Sequence, residues 1–255
     1  MKKPLILVSN DDGITAPGIR ALIEVAKQFG EVVVVAPDSP QSGMGHAITI
    51  NSTLRCDQIN VDSGLQKEYA CSGTPVDCVK LAVNKILDRR PDLCISGINH
   101  GSNSSINVIY SGTMSAAVEG ALEGIPSVGF SLVDFSFDAD FAASKNVAAD
   151  IIRMVLKEKL PKGVCLNVNI PKLPFDKIKG YKICRQADAN WVEEFDERKD
   201  PAGRTYFWLS GSFQNFDNGT DTDEWALAND YVSVVPVKYD ITSYEAISFL
   251  NTWKL

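Results

Sequence analysis

Leu5-Ile6-Leu7-Val8-Ser9-Asn10-Asp11-Asp12-Gly13 runs from an apolar stretch straight into two adjacent carboxylates and a glycine. A short all-apolar run bounded by a turn signal predicts a strand buried on both faces of a parallel sheet. Asp11 and Asp12 then stand at its carboxyl end, the edge where open α/β sheets bind ligands. Adjacent carboxylates repel each other unless they are solvated or share a cation. Hard cations such as Mg²⁺ take oxygen ligands, often one or two carboxylates plus substrate phosphate. The same pair also suits a plain helix cap followed by a turn residue, so on this stretch alone both readings stand.

The residues that follow build a β-α-β opening. Pro17-Gly18 precedes a helical periodicity over residues 19–29, Gly30 stops it, and residues 31–36, apolar after Glu31, predict a second strand. The crossover between them should be right-handed. A Pro-, Ser- and Gly-rich loop over 37–46 leaves that strand on the same sheet edge as Asp11 and Asp12. Residues 47–54 and 68–71 are further strand candidates. Thr74-Pro75 reads as an N-cap and first helical position of a helix reaching about residue 87. A strand over 92–96 ends in the polar loop 97–105, and Tyr110-Ser111-Gly112-Thr113 leads into an alanine-rich helix. A strand over 127–132, an amphipathic helix over 141–160 and a strand over 164–170 follow. Beyond Pro171 the alternation fades. Strands are expected over 178–186, 204–209 and 231–237, with an acidic link over 216–223 and a terminal helix over 244–253.

Composition bounds the function. The chain has 255 residues, 45% of them apolar, and a formal charge of −7. No run of Lys or Arg suggests nucleic acid, and no apolar run reaches membrane-span length. The short apolar run after Met1-Lys2-Lys3 is no secretory signal. The six cysteines form no C-x-x-C pair and several sit in apolar segments, so they read as reduced core residues of a cytoplasmic protein. The two histidines, His46 and His100, lack zinc-ligand spacing with any cysteine.

Three loops should meet at one sheet edge. They carry Asp11 and Asp12, then Ser42, then Asn99 with Ser111-Gly112-Thr113. Carboxylate, hydroxyl and amide oxygens suit Mg²⁺, Mn²⁺ or Ca²⁺ rather than zinc. A helix start rich in hydroxyls and backbone N–H groups suits phosphate. Taken singly, Ser111 or Thr113 is as good an N-cap, Asn99 an Asx-turn and His46 a loop histidine. It is their joint occurrence on one edge that points to phosphoryl transfer to water.

The motifs Ser9-Asn10-Asp11-Asp12-Gly13, Ala36-Pro37-Asp38, Gln41-Ser42-Gly43, Gly45-His46-Ala47-Ile48-Thr49, Gly73-Thr74-Pro75, Ser96-Gly97-Ile98-Asn99-His100-Gly101 and Tyr110-Ser111-Gly112-Thr113 together resemble the stationary-phase survival protein SurE family. Leu166-Asn167-Val168-Asn169-Ile170-Pro171 and the stretch from Thr222-Asp223 to Val234 extend the resemblance over nearly the whole chain. The resemblance implies an α/β fold: a Rossmann-like three-layer sandwich with a mainly parallel sheet. Residues 1–171 would be the catalytic core and 172–255 an extension with hairpins and a terminal helix used in oligomerisation, the two forming one integrated domain. It implies a metal-dependent phosphatase on nucleoside monophosphates, a 5′-nucleotidase with 3′-nucleotides and polyphosphate as further candidate substrates, working as a homodimer or homotetramer. One divalent metal per subunit (Mg or Mn, with Ca able to occupy the site) would be held by Asp11, Asp12, Ser42 and Asn99. Asp11, Asp12 and Asn99 would be catalytic. Asn10, Gly43, His46, Ser111, Gly112 and Thr113 would surround the substrate phosphate. The rival reading is a metal-dependent nucleotide-binding regulatory module without turnover. A phosphoacceptor receiver domain is disfavoured because the strand over 92–96 is followed by Gly97-Ile98-Asn99 and no acceptor aspartate.

Overall fold

The computed structural model describes residues 3–136 and 138–253. Strand β1 (Leu5–Ser9) is followed by helix α1 (Pro17–Ala26) and β2 (Glu31–Pro37). Next come β3 (Cys56–Ile59), β4 (Lys67–Cys71), α2 (Pro75–Leu81), β5 (Leu93–His100), α3 (Gly112–Leu122) and β6 (Ser127–Leu132). Then follow α4 (Ala142–Glu158), β7 (Val164–Ile170), β8 (Tyr181–Ile183), β9 (Ala189–Lys199) and β10 (Thr205–Asn215). The chain ends with α5 (Asp223–Ala228), β11 (Val232–Lys238) and α6 (Tyr244–Leu250).

One nine-stranded sheet has the order β3-β4-β2-β1-β5-β6-β7-β11-β8. From β4 to β7 every neighbouring pair is parallel, while β3 and β11 run antiparallel to β4 and β7. Side chains alternate across a strand, and β1 shows what that does. Ile6 and Val8 pack with Ile19, Leu22, Val147 and Ile152 from α1 and α4. Leu5 and Leu7 pack on the opposite face with Cys78, Val79 and Ala116 from α2 and α3. This makes three layers, helix–sheet–helix, as an α/β sandwich requires. Full burial of a side chain such as Leu22 contributes about 2–3 kcal/mol.

The order also fixes where a ligand belongs. From β1 the chain moves outward to β2 and β4, then returns to lay β5 on β1's other side. The loops after β1 and β5 therefore diverge and leave a crevice between them, the topological switch point of an open sheet. Asp11 follows the first strand and Asn99 ends the second.

Several expectations are corrected. Residues 47–54 form no strand. Their polar groups are used elsewhere: the Ala47 carbonyl accepts from Thr74 Oγ1, and Thr49 donates through both its backbone N–H and its hydroxyl to Asp77. The helix expected to reach residue 87 changes after Leu81 to a π-helical turn, Ala82–Ile86. The acidic link ends in a helix, because Thr222 caps Trp225 N and starts α5. Cys56 and Cys71, expected to be reduced, face each other across β3 and β4 and are joined as a disulfide. The pairing is invisible without β3, a short strand with mostly polar residues. Cys78, Cys94, Cys165 and Cys184 are buried free thiols. Strands β9 and β10 form a separate two-stranded ribbon with register from Ala189–Asn215 to Lys199–Thr205, mostly in solvent. Strands β8 and β11, from the carboxyl third, extend the main sheet. No helix among the described residues is long and apolar enough to cross a membrane.

Candidate metal and phosphate site

A cleft of about 210 Å³ opens at the switch point, lined in part by Asp11, Asp12, Ser42, Gly43, Asn99 and Ser111. Each loop is fixed by its own bonds. Gly13 takes φ +98°, a left-handed conformation that lets the chain turn away directly after the carboxylates. Asn10 Nδ2 donates to the Gly13 carbonyl (2.9 Å) and closes that turn. Gln41 N donates to the Asp11 carbonyl (2.7 Å), and Gly45 N to the Tyr110 carbonyl (3.1 Å). These two bonds hold the Ser42 loop against the other two loops. Asn99 Nδ2 donates to the carbonyls of His100 (3.2 Å) and Gly101 (2.9 Å). The amide nitrogen is thus committed, and the oxygen is the end available to a cation.

Asp11 is buried, and Thr113 Oγ1 donates to its Oδ1 at 2.5 Å. Burial pushes the Asp11 carboxyl up to about 6, with the Thr113 hydroxyl opposing and the Asp12 charge adding to the rise. Burial likewise raises Asp12, against the neighbouring His100. Ser111 is the N-cap of α3, accepting from Met114 N at 3.0 Å. Gly112 follows it so tightly that a Cβ there would stand 2.6 Å from the Asp11 Cβ. A side chain at this point would displace the carboxylate.

The donor set fits a hard divalent cation. Asp12 Oδ2 and Asn10 Oδ1 are buried oxygens without a hydrogen-bond partner, an arrangement that costs free energy unless something compensates it. Among the described residues no three His, Cys, Asp or Glu gather as metal ligands. A cation here would therefore need the serine and asparagine oxygens beside the two carboxylates. Among the described residues no Lys or Arg lines the cleft.

His46 lies apart from the cleft lining, with Nε2 3.0 Å from Glu119 Oε2. Asn10, Gly112 and Thr113 also lie outside the lining, Thr113 bonding Asp11 through its hydroxyl and Asn10 closing the turn at Gly13. Sequence reasoning missed His100, Ser102, Asn103, Asn107, Tyr110 and Phe135, which also line the cleft. The signal was present in the unbroken polar run after the β5 strand. It was also present in the asparagines of β7, since Asn169 Oδ1 accepts from Asn103 N (2.8 Å) and Asn167 Nδ2 donates to the Asn103 carbonyl (2.8 Å).

The profile of the family "Survival protein SurE" matches residues 6–193. The chain belongs to the SurE family. It is 64% identical to the 5′-nucleotidase SurE of Christiangramia forsetii over 255 residues, covering 100% of this chain and 98% of that protein. It is 65% identical to the 5′-nucleotidase SurE of Flavobacterium johnsoniae over 254 residues, with the same coverage of 100% and 98%. The crystal structure of the SurE protein from Aquifex aeolicus superposes with a TM-score of 0.85 at 40% identity, covering 97% of this chain and 98% of that one. The fold expected from the SurE resemblance, a mostly parallel α/β sheet with additional antiparallel strands, is the fold observed.

Proposed function

We propose that this SurE-family chain is a metal-dependent phosphatase releasing phosphate from nucleoside monophosphates, as the name 5′-nucleotidase of its relatives suggests. The observation that carries the reading is the charge of the cleft: two carboxylates, one of them with an unpartnered buried oxygen, and no Lys or Arg among the described residues of the lining. A phosphate dianion entering such a cleft is repelled unless a cation lies between. Asp11, Asp12, Ser42 and Asn99 would hold that cation, Mg²⁺ or Mn²⁺ by their oxygen chemistry. When bound, it supplies Lewis-acid polarisation of the phosphoryl group and lowers the pKa of a water.

The chain's own residues do the rest. The backbone N–H groups of Gly112 and Thr113 lie in the first turn of α3, which has no intrahelical acceptors for them, and in this reading their partial positive charge would favour negative charge developing in the cleft. Thr113 orients Asp11. Gly43 and Ser111 close the cleft around the phosphate, and Asn10 supports the turn under both carboxylates. His46 acts at one remove, through Glu119.

Assembly into a homodimer or homotetramer belongs to the same reading. It is supported by the exposed Phe195, Phe207, Trp208 and Leu209 of the ribbon and Tyr244, Phe249 and Leu250 of the terminal helix. A cytoplasmic location is supported by the four free buried thiols, and the Cys56–Cys71 bond is the feature that runs against it.

The experiment is phosphate release from AMP with added Mg²⁺ or Mn²⁺, with chelator, and with Asp12→Asn. Metal-dependent turnover lost in a folded Asp12→Asn is expected. Near-wild-type turnover by that variant would remove Asp12 from the ligand set. AMP binding without turnover would favour the regulatory module.

A further inference from the structure

The phosphate cleft does not end at Tyr110. A second hollow of about 460 Å³ adjoins it, lined by Tyr110, Trp191, Glu193, Leu209, Ser210 and Gly211. Tyr110 is a wall of both. Across the junction, Trp191 Nε1 donates to Asn107 Oδ1 at 2.8 Å, and Asn107 also lines the first cleft. The root of the β9–β10 ribbon is thereby fastened to the cleft rim. Phe213 braces the Trp191 ring edge-on at a centroid distance of 5.6 Å. The two aromatic residues at the junction keep much of their surface open, Tyr110 at 52% and Trp191 at 42%.

The chemistry of this hollow differs from that of the cleft. It contains aromatic and aliphatic surface, the hydroxyls of Tyr110 and Ser210 and the Glu193 carboxylate, with no Lys or Arg among the described residues. A further phosphate group would meet Glu193 without compensation. A neutral planar ring would meet two aromatic side chains, with Ser210 and Glu193 available to its polar edge. A ligand whose phosphate occupies the cleft and whose other end passes Tyr110 finds its best match there in such a ring.

We propose that Tyr110 and Trp191 form a nucleobase subsite, which makes the phosphatase prefer nucleoside monophosphates to phosphate esters that lack a base. The inference rests on the phosphatase reading above. Base–aromatic stacking is sequence-tolerant because every base presents a π-face, so the subsite accepts both purines and pyrimidines.

The test compares kcat/KM for AMP with that for ribose 5-phosphate in wild type, Tyr110→Ala, Tyr110→Phe, Trp191→Leu and Trp191→Phe. The AMP to ribose 5-phosphate ratio should fall roughly tenfold in the Ala and Leu variants, mainly through KM for AMP, and stay near wild type in both Phe variants. A ratio unchanged in Tyr110→Ala and Trp191→Leu overturns the proposal. So does a Tyr110→Ala that alters the sedimentation of the protein with no change in KM for AMP, since the hollow would then hold a second copy of the chain. A wild type that hydrolyses neither ester overturns the phosphatase reading itself and the subsite with it.

Discussion

His46 Nε2 and Glu119 Oε2 lie 3.0 Å apart, joining the end of the Ser42 loop to the helix whose first turn faces the phosphate cleft. Glu119 is 2% exposed, and its other oxygen stands 2.6 Å from Lys80 Nζ. Burial pushes the Glu119 carboxyl up, but the bonds to His46 and Lys80 outweigh it and hold it below the usual glutamate value. A depressed carboxylate contributes stability above its unfolded pKa of about 4.3 and loses it as pH falls through the folded value. As pH falls below about 5, wild type should therefore lose stability more steeply than Glu119→Gln in denaturant titrations. At neutral pH the variant should be weaker by about 1 kcal/mol, since both partners reach solvent. Parallel pH slopes would show that Glu119 is not among the acid-sensitive groups.

Thr113 sets the direction of the Asp11 carboxylate. Replacing an outer partner of a metal ligand typically costs about 10- to 100-fold in affinity. Thr113→Val should raise the Mg²⁺ or Mn²⁺ concentration needed for half-maximal binding in calorimetry by that range. Thr113→Ser, which keeps the hydroxyl, should restore it. Equal metal affinity in Val and Ser variants would contradict the orienting role.

Gly112 leaves no room for a Cβ beside Asp11, the added atom standing 2.6 Å from the Asp11 Cβ. Gly112→Ala should destabilise by about 1–3 kcal/mol, the usual range for overpacking. Phosphate release should fall far more than the melting temperature indicates, because the shift falls on the carboxylate. Kinetics and thermal melts on one preparation separate the two effects, and a fully active Gly112→Ala would refute the close approach.

Asp223 ties the ribbon to the cleft. It accepts from Ser105 N (2.8 Å) through one oxygen and from Ala187 N (2.9 Å) through the other. Asp223→Ala strands two buried donors at about 1–3 kcal/mol each. The denaturation midpoint should fall accordingly, with Asp223→Asn recovering part of the loss because its amide oxygen still accepts one bond. A midpoint unchanged in Asp223→Ala would mean that water satisfies both donors.

The residues that carried the sequence reading were those with a single strong period. The β1 run is apolar, the strand that became β2 is apolar after Glu31, and Thr74-Pro75 states a helix start that the structure completes as a reciprocal cap with Asp77. The two carboxylates were legible because they directly follow buried β1, and the other site residues because their loops leave the same edge. The rest was hidden for physical reasons. Strand β9, Ala-Asn-Trp-Val-Glu-Glu-Phe-Asp-Glu-Arg-Lys, faces solvent along nearly its whole length, so no buried face imposes an alternation. Residues 47–54 have strand-like composition, but Thr74 and Asp77 take up their polar groups. His46 looked like a cleft residue because its motif adjoins Ser42, and only the fold shows that Glu119 lies in the other direction.

Among the described residues the cleft lining has no Lys or Arg, and on the proposed reading that charge balance has a consequence for binding. With two carboxylates at the switch point, the protein by itself would discriminate against phosphate, and its affinity for substrate would be a function of how much of the cation site is filled. Linkage makes this reciprocal: whatever factor the cation adds to phosphate affinity, phosphate returns to the cation. Divalent-ion concentration would then act as a throttle on saturation, and inorganic phosphate left after turnover would help retain the ion for the next molecule.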